Sequence, residues 1–210
     1  MSVKDCGHHR HEERRKLIRR ILVWSAAFLS ILSVVVLLTW AVLHPQKPRF
    51  ILQDVTLYNF SASAAPPYAL TAVVQATLAS RNPNDRVGIY YRRLDAFLAY
   101  RGQQITAATL LPEGYQGFRD VAVWSPVLYG AAVPVAPRLQ VALGQDLGAG
   151  SVLVDVKVAG GVRWKVGSWV SGKYRLDVNC PAYLRFSSVP VGPAMRIQLV
   201  QRCHVETALG

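Results

Sequence analysis

The chain is poor in the side chains from which most enzyme centres are built. Its 210 residues hold 12 Asp and Glu, 5 His, 3 Cys and 2 Met. His8, His9 and His11 sit together near the start, leaving only His44 and His204 for the remainder. The nine acids beyond residue 20 are scattered, without paired carboxylates, a metal-ligand cluster or a Gly-rich phosphate loop. General acid–base catalysis, covalent catalysis and resident metals each need such groupings. Neither catalysis nor a cofactor is expected. Charged residues are only 17% of the chain against 51% hydrophobic, which excludes disorder, since disorder needs low hydrophobicity and high net charge. Three cysteines are also too few for a disulfide-stapled miniature fold. No internal repeat or low-complexity tract is present.

What the chain does have is a basic excess and one long apolar run. The formal net charge is +12, from 24 Lys and Arg. Lys4, Arg10, Arg14, Arg15, Lys16, Arg19 and Arg20 stand against Asp5, Glu12 and Glu13, giving the first 20 residues +4 and the rest +8. The larger share could serve anionic partners such as wall polysaccharide or lipid headgroups. A solvated, arginine-rich surface is the alternative.

Between Ile21 and Leu43 lie 23 residues without a formal charge. As a helix they span about 34 Å, enough for a hydrocarbon core of about 30 Å. Trp24 and Trp40 fall near its ends, where indoles prefer the headgroup level, and His44-Pro45 stops the helix. A cleaved signal sequence has a shorter apolar core ending in small residues, whereas this run exits through Trp-Ala-Val-Leu-His-Pro. The cations abut its N-terminal end, and only Lys47 and Arg49 lie close on the other side. The positive-inside rule therefore places the N-terminus in the cytosol. The expected organisation is a basic cytosolic tail over 1–20, a membrane-spanning signal-anchor helix over 21–43 and an extracytosolic domain over 44–210.

Past the anchor, apolar residues alternate at strand period. Val152, Val154, Val156 and Val158 face one way, and Ser151, Asp155 and Lys157 the other, with Leu153 the exception. Further strands are expected at Phe50–Tyr58, Leu70–Leu78, Ile89–Tyr100, Asp120–Trp124, Val162–Val166, Lys173–Cys180 and Arg196–Val205. Turns are expected at Ala65-Pro66-Pro67, Asn82-Pro83-Asn84-Asp85, Arg101-Gly102, Pro112-Glu113-Gly114, Gly160-Gly161 and Pro190–Pro193. Seven or eight short strands predict a mainly β fold, an antiparallel sandwich. One or two helical turns fit near Ala136–Leu147.

Cys6 falls in the basic tail, too far from Ile21 for a strong acylation signal, and the tract His8-His9-Arg10-His11 is too cationic to attract a metal. Cys180 and Cys203 share the apolar phase of their strands, and an oxidising compartment favours pairing them. Two buried free thiols are the alternative. Asn59-Phe60-Ser61 is the sole N-x-S/T sequon, so Asn59 is the candidate glycosylation site.

Four stretches together carry a family likeness. They are Asn82-Pro83-Asn84-Asp-Arg-Val-Gly88-Ile-Tyr90-Tyr91, Tyr115-Gln-Gly-Phe running to Ser125-Pro-Val-Leu128, Val162-Arg-Trp164-Lys-Val-Gly167, and Gly172 to Pro181. In this order they resemble the plant harpin-induced and non-race-specific-disease-resistance-like proteins (the NHL family), which carry a late-embryogenesis-abundant group 2 (LEA-2) domain. The residues themselves read as structure. Pro83 fixes its φ, Asn82 and Asn84 can close Asx turns, and Gly88 and Gly167 suit bends or close approaches. Trp164 and Trp169 read as core or sheet-edge anchors. The resemblance implies a plasma-membrane protein of plant defence, including the hypersensitive response, or of stress response. Its fibronectin- or immunoglobulin-like β-sandwich would face the apoplast.

The expected function is a non-catalytic interaction module tethered to the membrane. Its partners would be cell-surface proteins and an anionic wall polysaccharide or lipid, with no nucleic acid. The alternative is binding or transfer of a lipid or other apolar ligand, for which Tyr90, Tyr91, Tyr100, Tyr115 and Phe118 supply aromatics.

Overall fold

The computed structural model describes residues 6–43, 45–63, 68–185 and 195–210. The chain divides into two compact units, Met1–His44 and Pro45–Gly210. The first holds one helix, α1 (Cys6–Leu43). It runs through the cationic stretch of the tail as well as the expected span. Within it, the stretch Arg14–Leu37 contains an 18-residue window with a mean hydropathy of 2.2, and none of its 24 residues is buried. That stretch is long and apolar enough to cross a membrane. Two of its hydroxyls turn inward on the helix: Ser25 Oγ donates to the Leu22 carbonyl at 3.0 Å and Ser33 Oγ to that of Leu29 at 2.7 Å. Such back-bonding removes the cost of a bare hydroxyl in an apolar medium. The His8–His11 tract, Trp40 and the turn regions 65–67 and 190–193 lie outside the residues whose side chains are described.

The second unit is an antiparallel sandwich. One sheet contains β1 (Arg49–Ala62), β2 (Ala69–Arg81), β7 (Val121–Trp124), β8 (Val127–Pro134) and β12 (Met195–Arg202). Its order is β12-β1-β2-β7, with β8 also on β2. The other contains β3 (Gly88–Tyr100), β9 (Ser151–Val166), β11 (Tyr174–Arg185) and β13 (His204–Leu209), ordered β13-β11-β9-β3. Four short strands complete it: β4 (Gln103–Gln104), β5 (Thr109–Leu111) and β6 (Gly114–Gln116) on β3, and β10 (Trp169–Val170) on β9. The core lies between the inner faces. Phe50, Leu52, Val55, Leu70, Val74 and Leu78 meet Ile89, Leu94, Leu98, Leu176 and the valines of β9 there. Val152, Val154, Val156 and Val158 are at most 1% exposed, while Leu153 is 42% exposed on the opposite face. Each such buried aliphatic side chain contributes about 1.5–3 kcal/mol over an exposed one.

Several boundaries differ from the periodicity. Gly160-Gly161 is not a turn, because β9 runs unbroken through it. A Cβ on Gly160 would stand 2.4 Å from the Arg93 carbonyl oxygen. The glycines instead let β3 approach where its register slips between Arg92 and Asp95. Arg196–Val205 is not one strand either. It breaks at Cys203, where the chain leaves the first sheet for the second and the Cys203 N–H donates to the Phe50 carbonyl at 3.0 Å. The strand β8 falls in a stretch with no alternation signal, and β11 continues past Pro181 to Arg185. The helix α2 (Pro137–Gly148) starts on Pro137, whose missing N–H costs nothing at the first turn. It buries Leu143.

Candidate functional site

The sequence-derived motif residues form a structural hub. Asn82 is fully buried at the end of β2. Its Nδ2 donates to the carbonyls of Val87 and Gly117, both at 2.8 Å. Its Oδ1 accepts from the Asn84 backbone at 3.0 Å and from Asn84 Nδ2 at 2.9 Å. Asn84 passes the connection on: its Oδ1 accepts from the Gln46 N–H at 2.8 Å, and its Nδ2 donates to the Gln46 carbonyl at 2.9 Å. Pro83 sits between them, half-buried. Tyr91 points inward and donates to Gln116 Oε1 at 2.8 Å. With its one proton so used, it accepts from Ser80 Oγ at 2.8 Å. Burial pushes the Tyr91 phenol well up from its ordinary range.

The other motif residues divide by face. Trp164 is 4% exposed, its ring edge-on to Tyr174, and its backbone N–H donates to Ser171 Oγ at 2.9 Å. Gly167, with φ of +58°, opens the tight turn joining β9 to β10. Trp169 beyond it is exposed. Gly88 makes room for Tyr115, whose Oη would lie 2.4 Å from a Cβ there. Cys180 and Cys203 are joined, their Cα atoms 4.3 Å apart. Asn59 is exposed on β1, beside an irregularity between Leu57 and Asn59.

The most distinctive surface feature lies on the outer face of the second sheet. There the register slip in β3, with Arg93 at φ of +46°, faces the bare backbone of Gly160 and Gly161. The result is a concavity of about 550 Å³, rimmed by Arg92, Arg93, Arg163, Lys173 and Arg175, with Asp95 its lone carboxylate. Arg92 pairs with Glu113 at 3.8 Å and Arg175 with Asp177 at 2.8 Å, both in solvent, which offsets the charge of those two cations. The side chains of Arg93, Arg163 and Lys173 form no ion pair among the described residues, while the Arg93 backbone N–H donates to Glu113 Oε1 at 3.1 Å. The Arg163 Nε is buried and has no hydrogen-bond acceptor. In register with Arg163 stands Tyr90, and beside that Tyr115. Their rings lie 4.8 Å apart, with Lys165 Nζ 5.1 Å from the Tyr115 ring and 5.7 Å from that of Tyr90. This arrangement is suited to holding an oxyanion beside an apolar surface. No hydroxyl, thiol or imidazole lines the concavity, and no described group of three His, Cys, Asp or Glu could hold a metal ion.

Sequence reasoning missed this concavity. The alternation through Val162–Val166 puts Arg163 and Lys165 on one face. Nothing local signals that β3 and β11 bring Arg93 and Lys173 to the same place.

Residues 77–180 match the family model described as late embryogenesis abundant protein. NDR1/HIN1-like protein 1 of Arabidopsis thaliana is 54% identical over 187 residues, covering 89% of this chain and 88% of that one. NDR1/HIN1-like protein 12 of the same plant is 42% identical over 210 residues, covering 98% and 99%. NDR1/HIN1-like protein 26, also from Arabidopsis thaliana, is 35% identical over 202 residues, covering 96% and 95%.

Proposed function

The chain belongs to the NDR1/HIN1-like family, and on that footing we propose that it is a non-catalytic plasma-membrane protein of plant defence or stress response. Its β-sandwich is an interaction module at the face between membrane and cell wall. The observation that carries this reading is the helix over Arg14–Leu37, whose 24 residues bury nothing. So much exposed apolar surface calls for a non-aqueous medium. Arg14, Arg15, Lys16, Arg19 and Arg20 keep its N-terminal end cytosolic. The bond between Cys180 and Cys203 suits an oxidising compartment on the other side. Asn59, exposed in its sequon, is then open to glycosylation. Transfer of an apolar ligand is less favoured. It calls for an apolar cleft, and the two concavities described on the second sheet are rimmed by charges, including Lys157, Asp177 and Glu206 in the smaller one.

Expression of the full chain in plant cells, tagged at each end, tests this reading. Protease added to intact protoplasts is expected to remove the C-terminal tag and spare the N-terminal one. A glycosidase is expected to shift the band, and Asn59→Gln to abolish the shift. A protected C-terminal tag with an accessible N-terminal one refutes the topology.

A further inference from the structure

We infer that the concavity of Arg93, Arg163 and Lys173 binds a carboxylate-bearing polysaccharide, the chain lying across the strands from Tyr115 toward Lys173. Three cationic side chains without an ion pair among the described residues are held together there by the fold, so each favours a shared counter-anion. A carboxylate suits Arg93 and Arg163 in particular, because a guanidinium presents parallel N–H groups to two carboxylate oxygens.

Size and shape favour a polymer over a single small ion. About 550 Å³ falls within the range of sites for drug-sized ligands. Gly160 and Gly161 contribute backbone rather than side chains to the lining of the concavity. Tyr115, Tyr90 and Arg163 follow one another on successive strands, and Lys173 directly precedes Tyr174, the partner of Val162. Strands lie about 4.8 Å apart, so this row offers aromatic faces and then cations at a regular spacing. Sugar rings present C–H faces to tyrosines and uronic carboxylates to arginines. A second row sets the direction: Asp95, Ala159, Asp177 and Glu206 are also in register. A polyanion is repelled along that line and held to the neighbouring cationic one. The inference rests on the outward topology proposed above for where such a polymer is met, but not for whether it binds.

The full chain in phosphatidylcholine nanodiscs would be titrated with oligogalacturonate, with its methyl-esterified form and with inorganic phosphate, at fixed ionic strength. Oligogalacturonate is expected to bind, and the esterified form at least about tenfold more weakly, as loss of a charge-assisted hydrogen bond requires. Arg163→Gln with Lys173→Gln should weaken binding by about tenfold or more. Arg81→Gln with Arg138→Gln removes the same charge elsewhere and should leave it nearly unchanged. Tyr115→Ala should weaken the polymer without changing the response to phosphate. Equal losses in both double variants would overturn the site in favour of diffuse charge. Equal binding of the esterified form would overturn it too, as would phosphate competing as well as the polymer at equal charge. Specific binding by a chain whose C-terminal unit proves cytosolic supports the site and refutes the topology alone.

Discussion

Replacing Asn82 with alanine should be among the most damaging single substitutions in the second unit. The side chain is fully buried and makes four hydrogen bonds of 2.8–3.0 Å. Asn84 Nδ2 keeps a second partner in the Gln46 carbonyl. The carbonyls of Val87 and Gly117 and the Asn84 N–H lose the bonds that Asn82 supplied. At about 1–3 kcal/mol for each stranded polar group, with some relaxation, the cost is about 4 kcal/mol. For a unit of this size that lowers the melting temperature by about 8–16 °C. Asn84→Ala should cost only about 1 kcal/mol, because Gln46 is exposed and water can replace the lost partners. Asn82→Asp is isosteric but turns an acceptor toward two carbonyls. It should destabilise at neutral pH and recover partly as the carboxyl protonates and can donate. Urea unfolding of the full chain in non-ionic detergent, followed by near-ultraviolet circular dichroism, measures all three. A loss below about 1 kcal/mol for Asn82→Ala, or equal losses for Asn82→Ala and Asn84→Ala, would refute the hub.

The bond between Cys180 and Cys203 spans a sequence separation of 23, so Cys180→Ala with Cys203→Ala should cost about 3 kcal/mol on the chain-entropy account. Reductant should produce a similar drop in melting temperature in the parent and none in the variant. Gly160→Ala should cost about 1–3 kcal/mol, since its Cβ meets the Arg93 carbonyl oxygen at 2.4 Å. Gly144→Ala, on an open face of α2, should stabilise by about 0.5–1 kcal/mol; thermal melts compare the two. In alkali, stability should fall as pH rises from 10 towards 12. Burial, and then its hydrogen bond to Asp146, pushes the Tyr100 phenol up to about 12, and burial pushes Tyr91 up further. Unfolded tyrosine titrates near 10, so the protonated phenols contribute fully below that pH and progressively less above it. Melting temperatures across this range, flattened in Tyr100→Phe, check the sign.

The sandwich was legible where one strand's pattern reports one buried face. The four valines of β9 show this, and even Leu153 faces outward as its position in the alternation demands. The pattern failed where the deciding partner is distant. Gly-Gly has the same local signature in a turn and opposite a bulge, and only Arg92–Asp95 on β3 distinguishes them. Apolar phase continues through Cys203 although the chain changes sheets there, because both sheets bury their faces in one core. Strand β8 pairs with β2 through an irregularity between Leu70 and Ala72, and Ala132 has φ of +48°. Such a strand leaves no clean alternation to find.

The candidate site was legible only as a quantity. A surplus of +8 beyond the tail states the sign of the surface and not its place. The concavity draws its cations from β3, β9, and the stretch just before and into β11, so its geometry exists only after both pairings have formed. Strand β3 shows why the two halves of the problem separate. Its inward side carries Tyr91 into the network of Ser80 and Gln116, while Tyr90 and Arg92 stand on the outward side beside the cations. Substitution of an exposed cation there removes a weakly paired charge and little burial, at a stability change of about 0.5 kcal/mol or less. Substitution on the inward side strands buried hydrogen bonds instead. Binding by this unit is therefore free to change along the outward row while the fold is held by the residues alternating with it.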